Sequence, residues 1–410
     1  MNLLTMAQDP ACIDVEPTER LEKMVLEGEP KNYRVCRIKL DLLRYNEQND
    51  RIATFISRYK AEHGDDSFEG LTQEEYNSIV QDFIVESNPE AIKKTRGNIE
   101  LRTQERPGVV LSNGLVIDGN RRFTCLRQLA QKNPSFGMFD AVILPYEVGN
   151  DPKRVKILEL SIQHATEEKV EYDLIDKLVG VYRDILDPET KLLTVEEYAK
   201  YADASLKDVS SWMQLAQFMV DFLDYVGQPK QFHIARELSL GSLFQEMPAI
   251  LKKCSSSEQE EQVKNILFAN LVMSAEGDRV RIIRPVKQVL TSEKAEEFVE
   301  CESDLAAEVC ERLSMGDTSF DERIADVRAD ADLAGEFRRT LDSAVSAARR
   351  EKAVSSPADA IEKAMRDLMQ VEEGIFGELD SNELATVKRG VSGLKKRLSA
   401  IEDALLAAER

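Results

Sequence analysis

Val116-Ile117-Asp118-Gly119-Asn120-Arg121-Arg122-Phe123-Thr124-Cys125-Leu126 reads as the end of a strand, a tight polar turn and the start of a helix. Val116 and Ile117 are β-branched and suit a buried strand. Asp118, Gly119 and Asn120 are turn formers, and Gly119 lets the backbone come close to a ligand. Arg121 and Arg122 then fall in the first helical turn, where the helix already carries positive partial charge and free N–H donors. Arginines there run against the usual preference for acids and cost stability unless an anion is present. Two readings follow from these residues: a phosphate-binding turn, or a hairpin and helix cap with solvated arginines.

Working outward, Pro107 to Leu115 leads into the motif. Asn113-Gly114 between two apolar runs is the strongest short-range hairpin signal in the chain. Phe123 to Lys132 continues as a helix, and Ala141-Val142-Ile143-Leu144-Pro145 reads as a further buried strand. Upstream, Tyr33 to Leu40 alternates apolar and basic residues with the strand period, and 42–52 is a polar turn. Helices are expected from Ala53 to about Glu62 and from Leu71 to Val85, the latter with Thr72 and Glu75 as a capping box. Asn88 to Arg106 holds a short helix and a polar connection. Residues 1–30 read as a polar leader with a short helix opening at Pro17.

Beyond about residue 151 strand signals nearly vanish. Helices are expected over Val155–Gln163 and Glu167–Ile185, the second with Val170, Leu174, Leu178 and Tyr182 on its apolar face. Thr194-Val195-Glu196-Glu197 is a capping box, and Ser205 to Asp208 caps the next helix in the same way. Ala199, Ala202 and Asp203, followed by Val209, Trp212 and Leu215, fit a helix-turn-helix pattern with Asp203 in the place usually held by Gly. Plain bundles produce the same pattern. If the pair reads DNA, Ser205, Lys207, Ser210 and Ser211 are the residues to contact it. Residues 194–226 carry six acids against two bases, which argues against a phosphate-facing helix. A more basic patch, Arg279, Arg281, Arg284 and Lys287, reads as a contact for nucleic acid or, given Asp278 and the surrounding acids, as a solvated face, which is favoured.

The last ninety residues are helix formers, punctuated at Ser355-Ser356-Pro357. Leu384, Val387, Val391, Leu394, Leu398, Ile401 and Leu405 repeat at alternating three and four, a heptad seam. An earlier helix carries Ile361, Met365, Leu368, Ile375 and Leu379. An antiparallel hairpin, a dimerising coiled coil or the core of a C-terminal bundle would bury these stripes. The expected divisions are a leader over 1–30, a mixed domain over 31–165, a helical unit over 166–253, a helical segment over 259–313 and a C-terminal region over 320–410.

Composition bounds the function. The chain has 410 residues, a net charge of −21, 31% charged and 6% aromatic residues. Any nucleic-acid contact must therefore be a local patch. Six cysteines without a CxxC pair and only three histidines argue against zinc and suit a reducing cytoplasm. No apolar run is long enough to span a membrane.

Three segments together resemble the ParB/sulfiredoxin fold. Asn49-Asp50-Arg51 resembles the polar-turn arginine segment near the start of ParB N-terminal domains. Asp118-Gly119-Asn120-Arg121-Arg122 matches the Gly-x-Arg-Arg phosphate motif. Ile157 to His164 sits where ParB proteins carry Glu-Asn-x-Gln-Arg on a helix. The resemblance covers about residues 31–245. It implies an α+β fold: a ParB/sulfiredoxin-like N-terminal domain, then a helical helix-turn-helix domain and an all-α C-terminal region with a helical hairpin or coiled coil.

The resemblance also implies a nucleotide pocket for CTP or ATP with Mg²⁺. Gly119, Asn120, Arg121, Arg122 and Ser161 would contact the phosphates, Gln163 would stand on the opposite wall, and Arg51 would close over the ligand. Leu160-Ser161 replaces the family's Glu-Asn pair and His164 its arginine, which puts metal coordination and hydrolysis in doubt, with Glu159 or Ser161 as stand-ins. The sulfiredoxin cysteine is absent at Asn120, and Cys125 belongs to the core. Asp118 reads as the helix cap, with orienting an arginine or holding a metal as its alternatives.

Three functions are consistent with these residues. One is a nucleotide-binding protein coupled to DNA engagement or assembly, as in partition or phage defence, dimerising or holding a protein partner through its C-terminal helices. A second is a nuclease or phosphotransferase using Asp118, Glu159 or His164. The third is an acidic protein-interaction module with a vestigial pocket.

Overall fold

A computed structural model describes residues 2–26, 29–146, 152–165, 173–274, 279–315, 318–371, 373–377 and 379–408. Val170 and the side chains of Gln163, His164 and Arg279 lie outside the described residues.

Six strands form one sheet: β1 (Val15–Leu26), β2 (Glu29–Lys39), β3 (Arg44–Tyr45), β4 (Gly108–Leu111), β5 (Leu115–Asp118) and β6 (Met138–Leu144). Their spatial order is β1-β2-β6-β4-β5-β3. β4 and β6 run parallel, as do β3 and β5, and the other neighbours are antiparallel. The Asn113-Gly114 signal is the β4–β5 turn, with Gly114 at φ +90°.

Alternation along the strands splits the core in two, as the two-residue period requires. Cys36, Ile38, Val110, Val116, Phe139, Ala141 and Ile143 face one layer. That layer is filled by α1 (Leu3–Gln8), α2 (Ala53–His63), α3 (Gln73–Ser87), α4 (Pro89–Arg102) and α5 (Asn120–Ala130). Val35, Val109, Leu111, Ile117, Val142 and Leu144 face the other, covered by Val155, Leu158 and Ile162 of α6 (Pro152–Ala165). Both bonds of the Thr72–Glu75 capping box are present at the start of α3: the Thr72 hydroxyl accepts from the Glu75 amide and the Glu75 carboxylate accepts from the Thr72 amide.

One expectation is overturned here. The stretch from Pro17, read as a helix in a polar leader, is the edge strand β1, paired with β2 from Val15↔Ile38 to Leu26↔Glu29. The register slips between Pro17 and Leu21, consistent with a proline that has no N–H to give the ladder.

The rest of the described chain is mainly helical. α7 (Leu174–Val181) begins at its cap Asp173 and runs into a wider turn at Tyr182–Leu186. α8 (Val195–Tyr201) and α9 (Leu206–Tyr225) follow, each opened by the expected capping box. Asp203 between them adopts φ +47°, a left-handed conformation that Asp tolerates better than most residues. Helices Ala295–Ser314 and Ala331–Met369 pack together, burying Leu305, Val309, Leu333, Phe337 and Leu341 in the helical core.

The C-terminal expectations need two corrections. Pro357 does not end a helix: it lies inside Ala331–Met369. Nor does a hairpin bury the two apolar stripes. Ile361, Met365 and Leu368 are exposed, as are Val391, Leu394, Leu398 and Leu405 on Ser381–Ala408, a helix with no buried residue. The first half of the long helix spends its apolar face on Ala295–Ser314, and nothing in the described chain covers the rest.

Candidate phosphate-binding site

β5 ends at Asp118 and α5 begins at Asn120. Gly119 between them sits at φ +95°, ψ 14° and is the helix N-cap. A Cβ there would lie 3.0 Å from Arg122 Nη2, 3.0 Å from Phe139 Cζ and 3.2 Å from Gly108 Cα. The position thus needs both the left-handed backbone and the missing side chain. We expect Gly119→Ala to cost about 1–3 kcal/mol of stability, measured by denaturant unfolding; an unchanged midpoint would mean that the turn relaxes without strain.

The cap expected of Asp118 is absent, because the cap position belongs to Gly119. Asp118 instead holds Arg122: Nη2 donates to Oδ2 at 3.0 Å, and also to the Pro107 carbonyl at 3.3 Å. Asn120 has its buried Oδ1 without a hydrogen-bond donor among the described residues.

Arg121 differs from its neighbour. Among the described residues it has neither an ion pair nor a hydrogen bond. Its guanidinium is half-buried, and its pKa is lowered, by burial first and then by Arg51 and Arg122. Arg51 comes from the short 3-10 turn Asp50–Ile52, whose cap Asn49 accepts from the Arg51 amide at 3.2 Å. Two segments seventy residues apart thus bring three arginines together at the start of an 11-residue helix. Guanidinium forks, helix amides and a close backbone approach are the groups that can hold an anion with several oxygens.

The wall behind it is buried and closely packed. The buried Tyr45 hydroxyl meets Thr124 Oγ1 at 2.8 Å, and the Tyr45 and Phe123 rings lie 4.7 Å apart. Cys125 is buried and its thiol is pushed up to about 11 by burial, so it packs as a core residue, as expected.

Beside the site lies a buried ion cluster that the sequence reading missed. Lys156 on α6 is 1% exposed and reaches Asp50 and Asp184 at 3.0 Å each and Glu159 at 3.6 Å. Arg183 contacts Asp50 at 2.5 Å and Asp184 at 3.4 Å. Burial opposes the charge on Lys156, but Asp184, Asp50 and Glu159 together outweigh it and hold the ammonium protonated. Burial pushes Glu159 up to about 7, with the neighbouring Asp50 and Asp184 acting in the same direction and Lys156 and Arg183 opposing it. The candidate acid Glu159 therefore sits inside this cluster, itself 1% exposed. The local hints were a lysine and a glutamate one turn apart on an otherwise apolar helix face.

Glu159 gives a pH prediction. Its folded-state pKa lies above the ordinary value of 4.5, so its contribution to stability is full below about pH 4.5 and is lost as pH rises through about 7. Glu159→Gln removes that loss. Its melting temperature relative to wild type should move in the variant's favour between pH 5 and pH 8; a difference constant with pH would contradict the assignment.

Of the other candidates, Ser161 is half-buried on α6. No group of three or more His, Cys, Asp or Glu side chains gathers in metal-binding geometry among the described residues. Ser205, Lys207, Ser210 and Ser211 are all exposed at the start of α9. Ser205 Oγ is engaged by Asp208 at 2.6 Å and Ser210 Oγ by the Leu206 carbonyl at 2.8 Å. Lys177 Nζ stands 3.0 Å from the Trp212 ring centroid. In the later basic patch Arg284 pairs with Glu246. No described helix is long and apolar enough to cross a membrane.

No family model matches the chain, and no curated protein does. Among solved structures, the Pnob8-like ParB-N domain in its C2221 form aligns with 80% of this chain and 100% of its own length, at 10% sequence identity and a TM-score of 0.28. A likeness this loose does not establish the family.

Proposed function

We propose that this chain is a ParB-like nucleotide-binding protein whose Gly119–Arg122 turn and Arg51 hold the phosphates of CTP or ATP. One observation carries the reading: a half-buried arginine, Arg121, without a counter-charge among the described residues and beside Arg51. Clustered like charges cost the empty protein stability, and a polyphosphate would offset that cost. Asp118 engaged by Arg122 and Glu159 sealed in the ion cluster favour binding over turnover as the site's task. Asn120 and Ser161 complete the phosphate-side set, Gln163 the opposite wall, and Mg²⁺ would accompany the triphosphate. Calorimetric titration of the full chain with CTP, ATP and GTP tests this. Saturable binding of at least one is expected; no binding of any overturns the reading.

Assembly is the output we assign to nucleotide binding, through helix Ser381–Ala408. Its seam places Leu384, Val391, Leu398 and Leu405 at one core position and Val387, Leu394 and Ile401 at the other. In a parallel pair, Glu383 would face Lys388 of the second copy, and Arg397 would face Glu402. Both contacts are opposite in charge, so the occupant is a second copy of this chain. Leu398→Glu should turn a dimer into a monomer by light scattering after size-exclusion chromatography; a wild-type monomer at tens of micromolar would contradict it. DNA engagement by the α8–α9 pair through Ser205, Lys207, Ser210 and Ser211 is the other output proposed, and its signature is affinity that falls with salt.

A further inference from the structure

We infer that Asp50 is a positioning residue for the phosphate site, and that its clamp by Lys156 and Arg183 ties occupancy of the site to the packing of α7. This rests on the phosphate-binding reading of Arg51 and Arg121.

Asp50 immediately precedes Arg51 and is 1% exposed. Its Oδ1 accepts from Lys156 Nζ at 3.0 Å and from Arg183 Nη2 at 2.5 Å, and its Oδ2 accepts from Lys156 at 3.2 Å. Arg183 Nη2 also donates to the Gln48 carbonyl at 2.8 Å, gripping the turn two residues before Asp50. Gly180 on α7 lies flush against the same carboxylate: a Cβ there would stand 2.6 Å from Asp50 Cγ.

The other end of the turn is held by the same helix. Thr54 donates to Asp176 Oδ1 through its amide at 3.2 Å and its hydroxyl at 2.6 Å. Arg236 Nη1 bridges Asp176 Oδ2 at 2.5 Å and Thr54 Oγ1 at 3.1 Å. Arg51 is thus carried on a short turn fixed at Gln48–Asp50 and again at Thr54. Both anchors reach the segment 176–184, the first through Arg183 and the second through Asp176, while Lys156 ties Asp50 to α6 as well.

A buried ion cluster of this kind adds little stability over an apolar core of the same volume. What it supplies is geometry, because every carboxylate oxygen of Asp50 is directed. An anion drawing Arg51 towards Arg121 pulls on a turn that cannot move unless α7 moves with it. Ligand binding and the seating of α7 are then two ends of one linkage.

The test uses the full chain with inorganic triphosphate and with CTP as probes. Affinity is measured by calorimetry well below the melting temperature, with circular dichroism confirming the fold of each variant. Arg183→Gln should weaken binding of both probes about tenfold, and Arg183→Lys, which keeps a donor towards Asp50, should recover most of it. In wild type, saturating probe should slow hydrogen exchange across Leu174–Val181, and Arg121→Ala should abolish that protection. A purely structural cluster would lower the melting temperature of Arg183→Gln and leave its affinity unchanged, which overturns the inference while the phosphate reading stands. If Arg183→Gln fails to fold, wild-type exchange decides: α7 exchange unaltered by saturating probe overturns the linkage. If wild type binds neither probe, the phosphate reading and this inference fall together.

Discussion

Arg121→Ala should do two opposite things at once: weaken polyphosphate or nucleotide binding by about 100-fold and leave the empty protein as stable as wild type or more so. The first follows from the loss of charge-assisted hydrogen bonds to phosphate, worth roughly 1.5–3 kcal/mol. The second follows from the surroundings of the guanidinium. It is half-buried, lies beside Arg51 and Arg122, and has no acid against it among the described residues. Removing it relieves repulsion of up to about 1 kcal/mol, the scale of a partly solvated charge interaction. Arg122→Ala should behave differently, because that arginine is paired with Asp118 and the Pro107 carbonyl, so its loss destabilises the empty turn. Unfolding midpoints without ligand, alongside calorimetric affinities, separate the two. A clearly lowered midpoint for Arg121→Ala would show that the residue serves the fold.

The largest stability effect belongs to Lys156. Lys156→Met should cost about 3–5 kcal/mol, because it leaves Asp50, Asp184 and Glu159 buried with only Arg183 against them. The side chain itself is nearly isosteric, so the loss is electrostatic and not a cavity. Adding Asp184→Asn to Lys156→Met should recover part of it, since Asp50 and Arg183 then remain as a matched pair. Equilibrium denaturation of the single and double variants measures both. A Lys156→Met protein as stable as wild type would mean that the cluster admits water and is not held by its charges.

The contrast between these two arginine and lysine sites explains what sequence could and could not show. The turn Asp118–Arg122 was legible because strand, glycine and helix signals all lie within a dozen residues, and Asn113-Gly114 fixed the strand before it. Capping boxes at Thr72, Thr194 and Ser205 are likewise local, and each opens the helix expected of it. The ion cluster is non-local: Lys156 meets Asp50 across 106 positions and Arg183 meets it across 133. No periodicity links such residues. β1 failed for a related reason. Pro17-Thr18-Glu19 is a good local helix start, but pairing with β2 decides its conformation. Asp118 failed more narrowly. An acid before a helix is a reasonable cap, yet the left-handed turn at Gly119 moves the cap one residue on and leaves Asp118 to Arg122. The heptad seam is present as an apolar stripe on Ser381–Ala408, with Val391, Leu394, Leu398 and Leu405 exposed.

The most direct test of the phosphate cradle is a crystal structure of the full chain with CTP and Mg²⁺ bound. The expected result is a phosphate at the start of α5 within hydrogen-bonding distance of both the Arg121 and Arg51 guanidinium groups. Nucleotide seated elsewhere, or a phosphate at the turn with Arg121 directed away from it, would contradict the assignment.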